Sequence, residues 1–241
     1  MSLSESDFDA YVFSKQPDYD EKTFRREFAK AVPLRTVVIY CYDPRAVGIP
    51  AAVAKAFSDV FPGEIVTDDN GKKVASTTTL FEVVVAGGRA IDALRSVTVA
   101  QYLFGIENIV IVHHTYCGAT SFTAGGIIDA YERELGTDIA NLFERDSICI
   151  TDYATSLRHD VRLMRASAGT PRHASIYGCL YNIDTEELSL VIEDKGVMTR
   201  RMGKRRRSSA AMRAFRVGPA RARTARARKG DSDGVRERQG D

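Results

Sequence analysis

The chain has 241 residues, of which 44% are apolar, and a formal net charge of +2. This length allows one sizeable domain with a tail, and the sequence contains no run of about 18 apolar residues that would predict a transmembrane span. The acidic N-terminus lacks the basic and apolar regions of a secretory signal, and four cysteines are too few for a disulfide framework in a chain this long. We therefore expect a soluble, cytoplasmic protein.

Three regions follow one another along the chain. Residues 1–35 are polar with apolar positions at helical spacing, which predicts a helical arm that packs either on its own domain or on a partner subunit. Residues 36–196 alternate short apolar runs with amphipathic segments and are expected to form the main folded domain. Residues 197–241 contain 15 Lys and Arg against 4 Asp and Glu, a net charge of +11 that leaves −9 on the remainder. This basic stretch has no apolar period and is predicted to be a disordered tail.

The central region predicts an α/β fold. Strands are expected at 36–42, 80–85, 108–113, 174–183 and 188–193, and helices at 51–57, 91–104, 127–135 and 153–166. The first runs show no polar alternation, which is typical of parallel strands that are covered on both faces. The last two strands are separated by a short turn and should form a hairpin. The expected architecture is a mostly parallel central sheet flanked by helices, with an antiparallel edge strand.

Potential metal ligands follow two of these apolar runs. One run ends in Cys41, within the pattern Cys-x-Asp-x-Arg, and another ends in His114 and Cys117, within the pattern His-x-x-Cys. In open α/β sheets ligands bind outside the carboxyl ends of neighbouring strands, so we expect these three side chains to meet. Two thiolates and an imidazole suit one zinc ion per chain, with a fourth position for water in a catalytic site. The alternative is that both cysteines are core thiols and His114 is a hydrogen-bonded buried histidine.

The segments Cys41-Tyr42-Asp43-Pro44-Arg45 and His114-Thr115-Tyr116-Cys117-Gly118 together resemble the signature of the β-class carbonic anhydrases. The resemblance covers roughly residues 25–195, and the doubled histidine at 113 and 114 is similar to the branch that also contains carbonyl sulfide hydrolases. It implies zinc ligands at Cys41, His114 and Cys117, a catalytic pair of Asp43 and Arg45, and assembly into a homodimer or tetramer.

The chemistry expected of such a site starts from zinc-bound water, whose lowered pKa makes hydroxide available as a nucleophile. As a carboxylate, Asp43 only accepts hydrogen bonds, so accepting the hydroxide proton would aim an oxygen lone pair at the substrate carbon. Arg45 would hold Asp43 in a charge-assisted pair, although a purely structural ion pair is the alternative. Since two thiolates neutralise the ion, activity should rise with pH above about 7. His113 points to the opposite face of its strand and is expected to pack or hydrogen-bond.

The surroundings of the site predict a small, linear substrate. Val84-Val85-Ala86-Gly87 stands where the family usually has Arg-Asn-Ala-Gly, and Tyr116 stands where the related branch often has Asp. Both differences make the site less polar, with Val85, Ala86, Gly87 and Tyr116 as candidate pocket residues. The leading hypothesis is reversible hydration of carbon dioxide to bicarbonate. The alternative is hydrolysis of carbonyl sulfide to hydrogen sulfide and carbon dioxide.

A third hypothesis is a non-catalytic, zinc-stabilised module whose basic tail binds nucleic acid or another polyanion through counterion release. The tail has a single aromatic residue, Phe215, so stacking on bases is not expected. We favour a solvated tail, or a misread gene end, over binding of a polyanion.

Overall fold

The computed structural model describes residues 4–197, and the predicted basic tail lies outside this range except for Val197. Seven strands are present in the described part of the chain. They are β1 (Thr36–Cys41), β2 (Ile65–Thr67), β3 (Lys73–Ser76), β4 (Leu80–Val85), β5 (Asn108–His114), β6 (Ser175–Asn182) and β7 (Glu187–Asp194). Five of them form the central sheet in the order β4-β1-β5-β6-β7, in which only β7 is antiparallel to its neighbour. The predicted mostly parallel α/β sheet with an antiparallel edge strand is confirmed.

The helices of the described region cover both faces of this sheet. They are α1 (Glu21–Ala31), α2 (Ile49–Phe57), α3 (Leu94–Phe104), α4 (Ala124–Leu135), α5 (Arg145–Ile148) and α6 (Tyr153–Ala166). Helices α3 and α6 bury apolar residues against one face of the central strands, and α2 covers the other. None of the helices within residues 4–197 has the length and apolar character needed to cross a bilayer.

Two local features differ from the sequence-based expectation. A small antiparallel hairpin of β2 and β3, with its turn at Asp68–Gly71, was not among the expected elements. Its strands are exposed or half-buried, so they lack the apolar runs that mark core strands. The segment between α4 and α6 contains the four-residue helix α5, which is too short to produce a helical period in the sequence.

The predicted N-terminal helix is present as α1, and it packs on α3 of the same chain. The ring of Phe28 lies 5.7 Å from that of Phe104, and the Arg25 guanidinium lies 3.4 Å from the centre of the Tyr102 ring. Asp20 caps the helix by accepting a hydrogen bond of 2.8 Å from the Thr23 amide. Aromatic and cation–π contacts within the chain therefore hold this arm against the sheet-covering helix α3.

The pairing of β1 with β5 positions the potential metal ligands. The two strands are parallel and adjacent, with Thr36 opposite Asn108 and Ile39 opposite Ile111. Nearly every residue of both strands is buried, which explains why they lack polar alternation. Their carboxyl ends therefore emerge side by side at the same edge of the sheet.

Gly88 lets the turn that follows β4 approach these strand ends. It has a φ of +68°, and a Cβ atom there would lie 2.6 Å from the Val112 carbonyl oxygen and 3.1 Å from the Tyr40 Cα. Both neighbours are backbone atoms of the ligand-bearing strands and have little freedom to move. A side chain at this position would force the turn away from the site.

The substitution Gly88→Ala should destabilise the fold by about 3 kcal/mol or more, because it adds steric overlap with backbone to the cost of a positive φ. Gly71→Ala is the matched control, since Gly71 has a φ of +75° but no atoms within 4 Å of an added Cβ. That control should cost only about 1 kcal/mol. Urea unfolding of both variants measures the difference, and equal losses would show that the overlap at Gly88 is relieved cheaply.

Candidate metal centre

The structure brings the three predicted ligand side chains together. Cys41 is the last residue of β1, His114 is the last residue of β5, and Cys117 immediately precedes a 3-10 turn that starts at Gly118. All three residues are buried, and one potential ligand atom from each lies within 4.8 Å of the other two. The group arises because neighbouring parallel strands end at the same edge of the sheet.

The imidazole of His114 has one nitrogen satisfied and one available. Its Nδ1 lies 2.9 Å from the Thr115 carbonyl oxygen, to which it donates a hydrogen bond when it carries the proton. Its Nε2 is buried and has no hydrogen-bond partner within the described chain. An unpaired buried nitrogen is costly, and a metal ion at this point would remove that cost.

The two thiols have the spacing that a tetrahedral zinc ion requires. Their sulfur atoms are 3.8 Å apart, and sulfurs bound to one zinc at about 2.3 Å in tetrahedral geometry are separated by roughly the same distance. The hydrogen bond from the Cys117 thiol lowers the pKa of Cys41, and the same contact, together with burial, raises the pKa of Cys117. The pair therefore favours one thiolate, and the donor set fits a metal ion that takes sulfur and nitrogen ligands.

Asp43 and Arg45 form the predicted pair next to this group. Arg45 Nε lies 3.0 Å from Asp43 Oδ1 and Nη2 lies 2.7 Å from Oδ2, so the guanidinium grips both carboxylate oxygens. The hydrogen bonds from Arg45 lower the pKa of Asp43 to about 2. Arg45 Nη2 also donates to the Tyr116 carbonyl at 3.0 Å, which links the loops after β1 and β5. The Asp43 carboxylate points towards the site, with Oδ2 3.9 Å from His114 Nε2.

A cavity of about 370 Å³ opens in front of these residues and has mostly apolar walls. It is lined by Cys41, Tyr42, Asp43, Pro44, Arg45, Ala86, Gly87, Gly118, Ala119, Phe122 and Ile148.

Two of the four candidate pocket residues, Ala86 and Gly87, line the cavity. The other two are not among its lining residues. Val85 packs on the apolar core on the α3 side of the sheet. Tyr116 has a φ of +56° and a side chain that is 69% exposed, and it contributes its carbonyl to Arg45 instead of a wall to the pocket.

Sequence reasoning missed three apolar wall residues. Ala119 and Phe122 follow Cys117 so closely that their position after a ligand strand was a usable signal. Ile148 had no such signal, because the short helix α5 carries it to the site from a distant part of the chain.

A second layer of buried polar residues lies behind the site. His113 Nε2 is 3.2 Å from Asp160 Oδ2, as expected for a hydrogen-bonding residue on the opposite face of β5. Arg89 donates to both oxygens of Asp160, at 2.9 and 3.0 Å. Although burial alone would raise it, the pKa of Asp160 is lowered by its hydrogen bonds with His113 and Arg89, while burial lowers the pKa of His113. Arg89 and Asp160 are 71 residues apart, and nothing in their local sequence predicts the contact.

Comparison with known proteins gives a consistent assignment, although no family model matches the chain. Over 100 residues it is 28% identical to β-carbonic anhydrase 1 of Mycobacterium tuberculosis, a match that covers 42% of this chain and 59% of the relative. It is also 29% identical over 112 residues to the carbon disulfide hydrolase of Acidithiobacillus thiooxidans, covering 40% of this chain and 56% of that protein. The structure of the Streptococcus mutans carbonic anhydrase superposes with a TM-score of 0.51 at 25% identity, covering 80% of this chain and all of that one.

In sequence and in fold the chain is similar to the β-carbonic anhydrases. The chain matches less than two thirds of the length of the curated relatives, so the reaction is a separate inference. These relatives include both a carbonic anhydrase and a carbon disulfide hydrolase.

Replacement of one thiol tests the donor set. Cys117→Ala should reduce the zinc content of the purified protein from about one ion per chain to almost none, because two ligands hold zinc far more weakly than three. Cys179→Ala is the matched control, since both thiols are about 1% exposed but Cys179 lies among apolar core residues. Metal analysis by mass spectrometry measures both variants, and equal zinc contents would contradict the assignment.

Proposed function

We propose that the chain is a zinc enzyme that hydrates carbon dioxide reversibly to bicarbonate and a proton. The observation that carries this proposal is the convergence of Cys41, His114 and Cys117 on an apolar cavity whose single lining carboxylate, Asp43, is held by Arg45. A zinc ion bound by these ligands would act as a Lewis acid and lower the pKa of a water molecule towards neutrality.

Asp43 would orient the attacking water. Because Arg45 keeps it ionised, the carboxylate accepts hydrogen bonds and donates none. A water that donates to Asp43 has a lone pair free to face the carbon of a substrate in the cavity. Arg45 would fix the carboxylate in this orientation, since it is itself anchored on the Tyr116 carbonyl.

The remaining wall suits a small apolar substrate. It contains no charged side chain and consists of Ala86, Gly87, Ala119, Phe122 and Ile148. Such a wall suits carbon dioxide, because this molecule needs no polar partner apart from the reacting water. An apolar wall also excludes bulk water, which strengthens the electrostatic interaction between Asp43 and the reacting groups.

Hydrolysis of a sulfur analogue is a second candidate for the same site. Two observations favour it: the identity with a carbon disulfide hydrolase, and an apolar cavity with room for a sulfur atom. Carbonyl sulfide plus water would give carbon dioxide and hydrogen sulfide. The same attack of water on carbon would form a thiocarbonate, whose C–S bond then breaks to release sulfide, whereas hydrated carbon dioxide keeps all its atoms in bicarbonate.

Three further expectations stay predictions. The first is the homodimer or tetramer, the second is the cytoplasmic location, and the third is the non-catalytic module with a polyanion-binding tail. The last of these differs from the enzyme proposals in one measurable respect, because it requires bound zinc without turnover of either substrate.

Two assays on the zinc-loaded full chain separate the candidates. Proton release from carbon dioxide is followed by stopped flow, and sulfide release is followed with carbonyl sulfide and carbon disulfide. We expect fast proton release and little sulfide. Strong sulfide release with feeble hydration would favour the second candidate, and zinc without any turnover between pH 7 and 9 would leave the non-catalytic module.

Asp43→Asn should lower the hydration rate by about 100-fold or more, because the amide no longer provides an ionised acceptor for the attacking water. Zinc content should stay unchanged, since Asp43 is not in the ligand group. The pKa of Asp43 is about 2, so the carboxylate is fully ionised from pH 6 to 9 and the loss should be the same across that range. An equal loss of rate at each pH would mean that any change of the hydration rate between pH 6 and 9 comes from a group other than Asp43.

Asp184→Asn is the control for charge, because Asp184 acts electrostatically on Arg45 from an exposed turn outside the cavity. It should keep the wild-type rate. A small loss in Asp43→Asn, or a loss that appears only at low pH, would count against the proposed role.

A further inference from the structure

One wall of the cavity is held by hydrogen bonds as well as by packing. The segment Arg145–Ile150, which contains α5, places Ile148 in the cavity wall and Ile150 against the thiols of Cys41 and Cys117. A second cavity of about 320 Å³ is lined by Arg145, Asp146 and Cys149 from the same segment. Two cavities therefore border this segment, and its packing is interrupted where its residues line them.

Arg89 forms hydrogen bonds that hold this segment in place. Its guanidinium donates to the carbonyl oxygen of Asp146 at 2.8 Å and also to the carbonyl oxygen of Cys149. These two carbonyls lie on either side of Ile148. Arg89 is only 2% exposed, so these hydrogen bonds are shielded from water and cannot be replaced easily by solvent.

The guanidinium is itself fixed in the fold. Both carboxylate oxygens of Asp160 accept from it, and Asp160 belongs to the long helix α6 and also contacts His113 of β5. Arg89 follows Gly87 and Gly88, the turn that borders the cavity and touches the ligand strands. Arg89 therefore links the Gly87–Gly88 turn directly to the segment Arg145–Ile150 and to Asp160 of α6. Through Asp160 it is also linked to β5.

We propose that Arg89 is a positioning residue that tethers the segment Arg145–Ile150 over the metal ligands, and so sets the width and dryness of the substrate cavity. The proposal rests on the proposed function for its link to catalysis, but the tether itself does not depend on turnover. Without the tether the wall should open more often, admit water and accept a bulkier substrate more readily.

Arg89→Lys tests the tether while it preserves the buried charge pair. The ammonium group keeps a positive charge beside Asp160, so that carboxylate is not left unpaired. It lacks the planar fork of donors that reaches both oxygens of Asp160 and two carbonyls at once. The variant should therefore fold but lose the contacts to Asp146 and Cys149.

Arg165→Lys is the matched control. Arg165 lies on α6, the helix that also carries Asp160. Like Arg89, it donates hydrogen bonds both to a carboxylate, that of Asp194 at 2.8 Å, and to a backbone carbonyl, that of Ala174 at 2.7 Å. It is not among the residues that line either cavity. Any general effect of shortening an anchored arginine should appear in both variants.

Hydrogen–deuterium exchange of the zinc-loaded full chain reads the wall directly. The amides of Ser147 and Ile150 each donate a hydrogen bond of 2.9 Å, to the carbonyls of Glu144 and Ala119, and report opening of the segment. In Arg89→Lys these two amides should exchange about five- to tenfold faster than in the wild type. In Arg165→Lys they should be unchanged, and release of zinc to a chelator should be accelerated in Arg89→Lys alone.

A third variant separates the tether from packing. Ile148→Ala trims the wall without touching Arg89, so it should leave the exchange of both amides unchanged. Equal exchange in Arg89→Lys and Arg165→Lys would overturn the proposal. So would wild-type amides that exchange as fast as those of an unfolded peptide, a result that needs no variant to fold.

Turnover then tests the link to catalysis. The ratio of carbon disulfide to carbon dioxide turnover should rise at least about threefold in Arg89→Lys relative to wild type and to Arg165→Lys, because a looser wall accepts the larger molecule. If the two amides exchange faster but the turnover ratio is unchanged, Arg89 still tethers the segment, and its role in substrate selectivity is overturned. Absence of both activities in the wild type would instead refute the proposed function and leave the exchange result intact.

Discussion

The parallel pairing of β1 with β5 is the contact on which the site depends, because it places Cys41 and His114 at the same edge of the sheet. A shift of one residue would turn every side chain of a strand to the other face and separate the two ligands. The register is secured by burial, since both strands are covered on both sides and a shift would expose apolar side chains and bury others badly. The stability of the core and the geometry of the metal ligands therefore come from the same strand contacts.

Charged groups are arranged around these strand ends at two depths. In the open cavity, Arg45 grips Asp43 and keeps it ionised where a reacting molecule can reach it. Behind the site, Arg89 grips Asp160 where solvent does not reach. Arg45 of the first pair is largely in water, whereas both Arg89 and Asp160 are buried. Loss of one partner therefore costs little stability in the first pair and much more in the second, although the hydrogen-bond geometry is similar. The outer pair is suited to chemistry, and the inner pair is suited to holding backbone segments in place.

The apolar character of the cavity does not come from the positions that differ from the usual pattern of the β-carbonic anhydrases, because Val85 and Tyr116 lie outside its lining. It comes from Ala86 and Gly87, which match that pattern, and from three residues that the structure adds to the same wall, Ala119, Phe122 and Ile148. Carbon dioxide, carbonyl sulfide and carbon disulfide all fit such surroundings, because none of them needs several hydrogen bonds. Under the proposed function, the width of the cavity, more than its polarity, would separate these candidate substrates.

The sequence alone predicted the alternation of strands and helices, the three candidate ligands that the structure brings together, and the pairing of Asp43 with Arg45. These features are local, since apolar runs and short motifs are visible within a few residues. Contacts over long distances were decided only by the tertiary structure. It turned Tyr116 outwards and Val85 into the core, brought Ile148 into the cavity through a helix too short to leave a period, and joined Arg89 to Asp160. A residue's neighbours across the sheet depend on how the whole chain packs, and no local pattern records that packing.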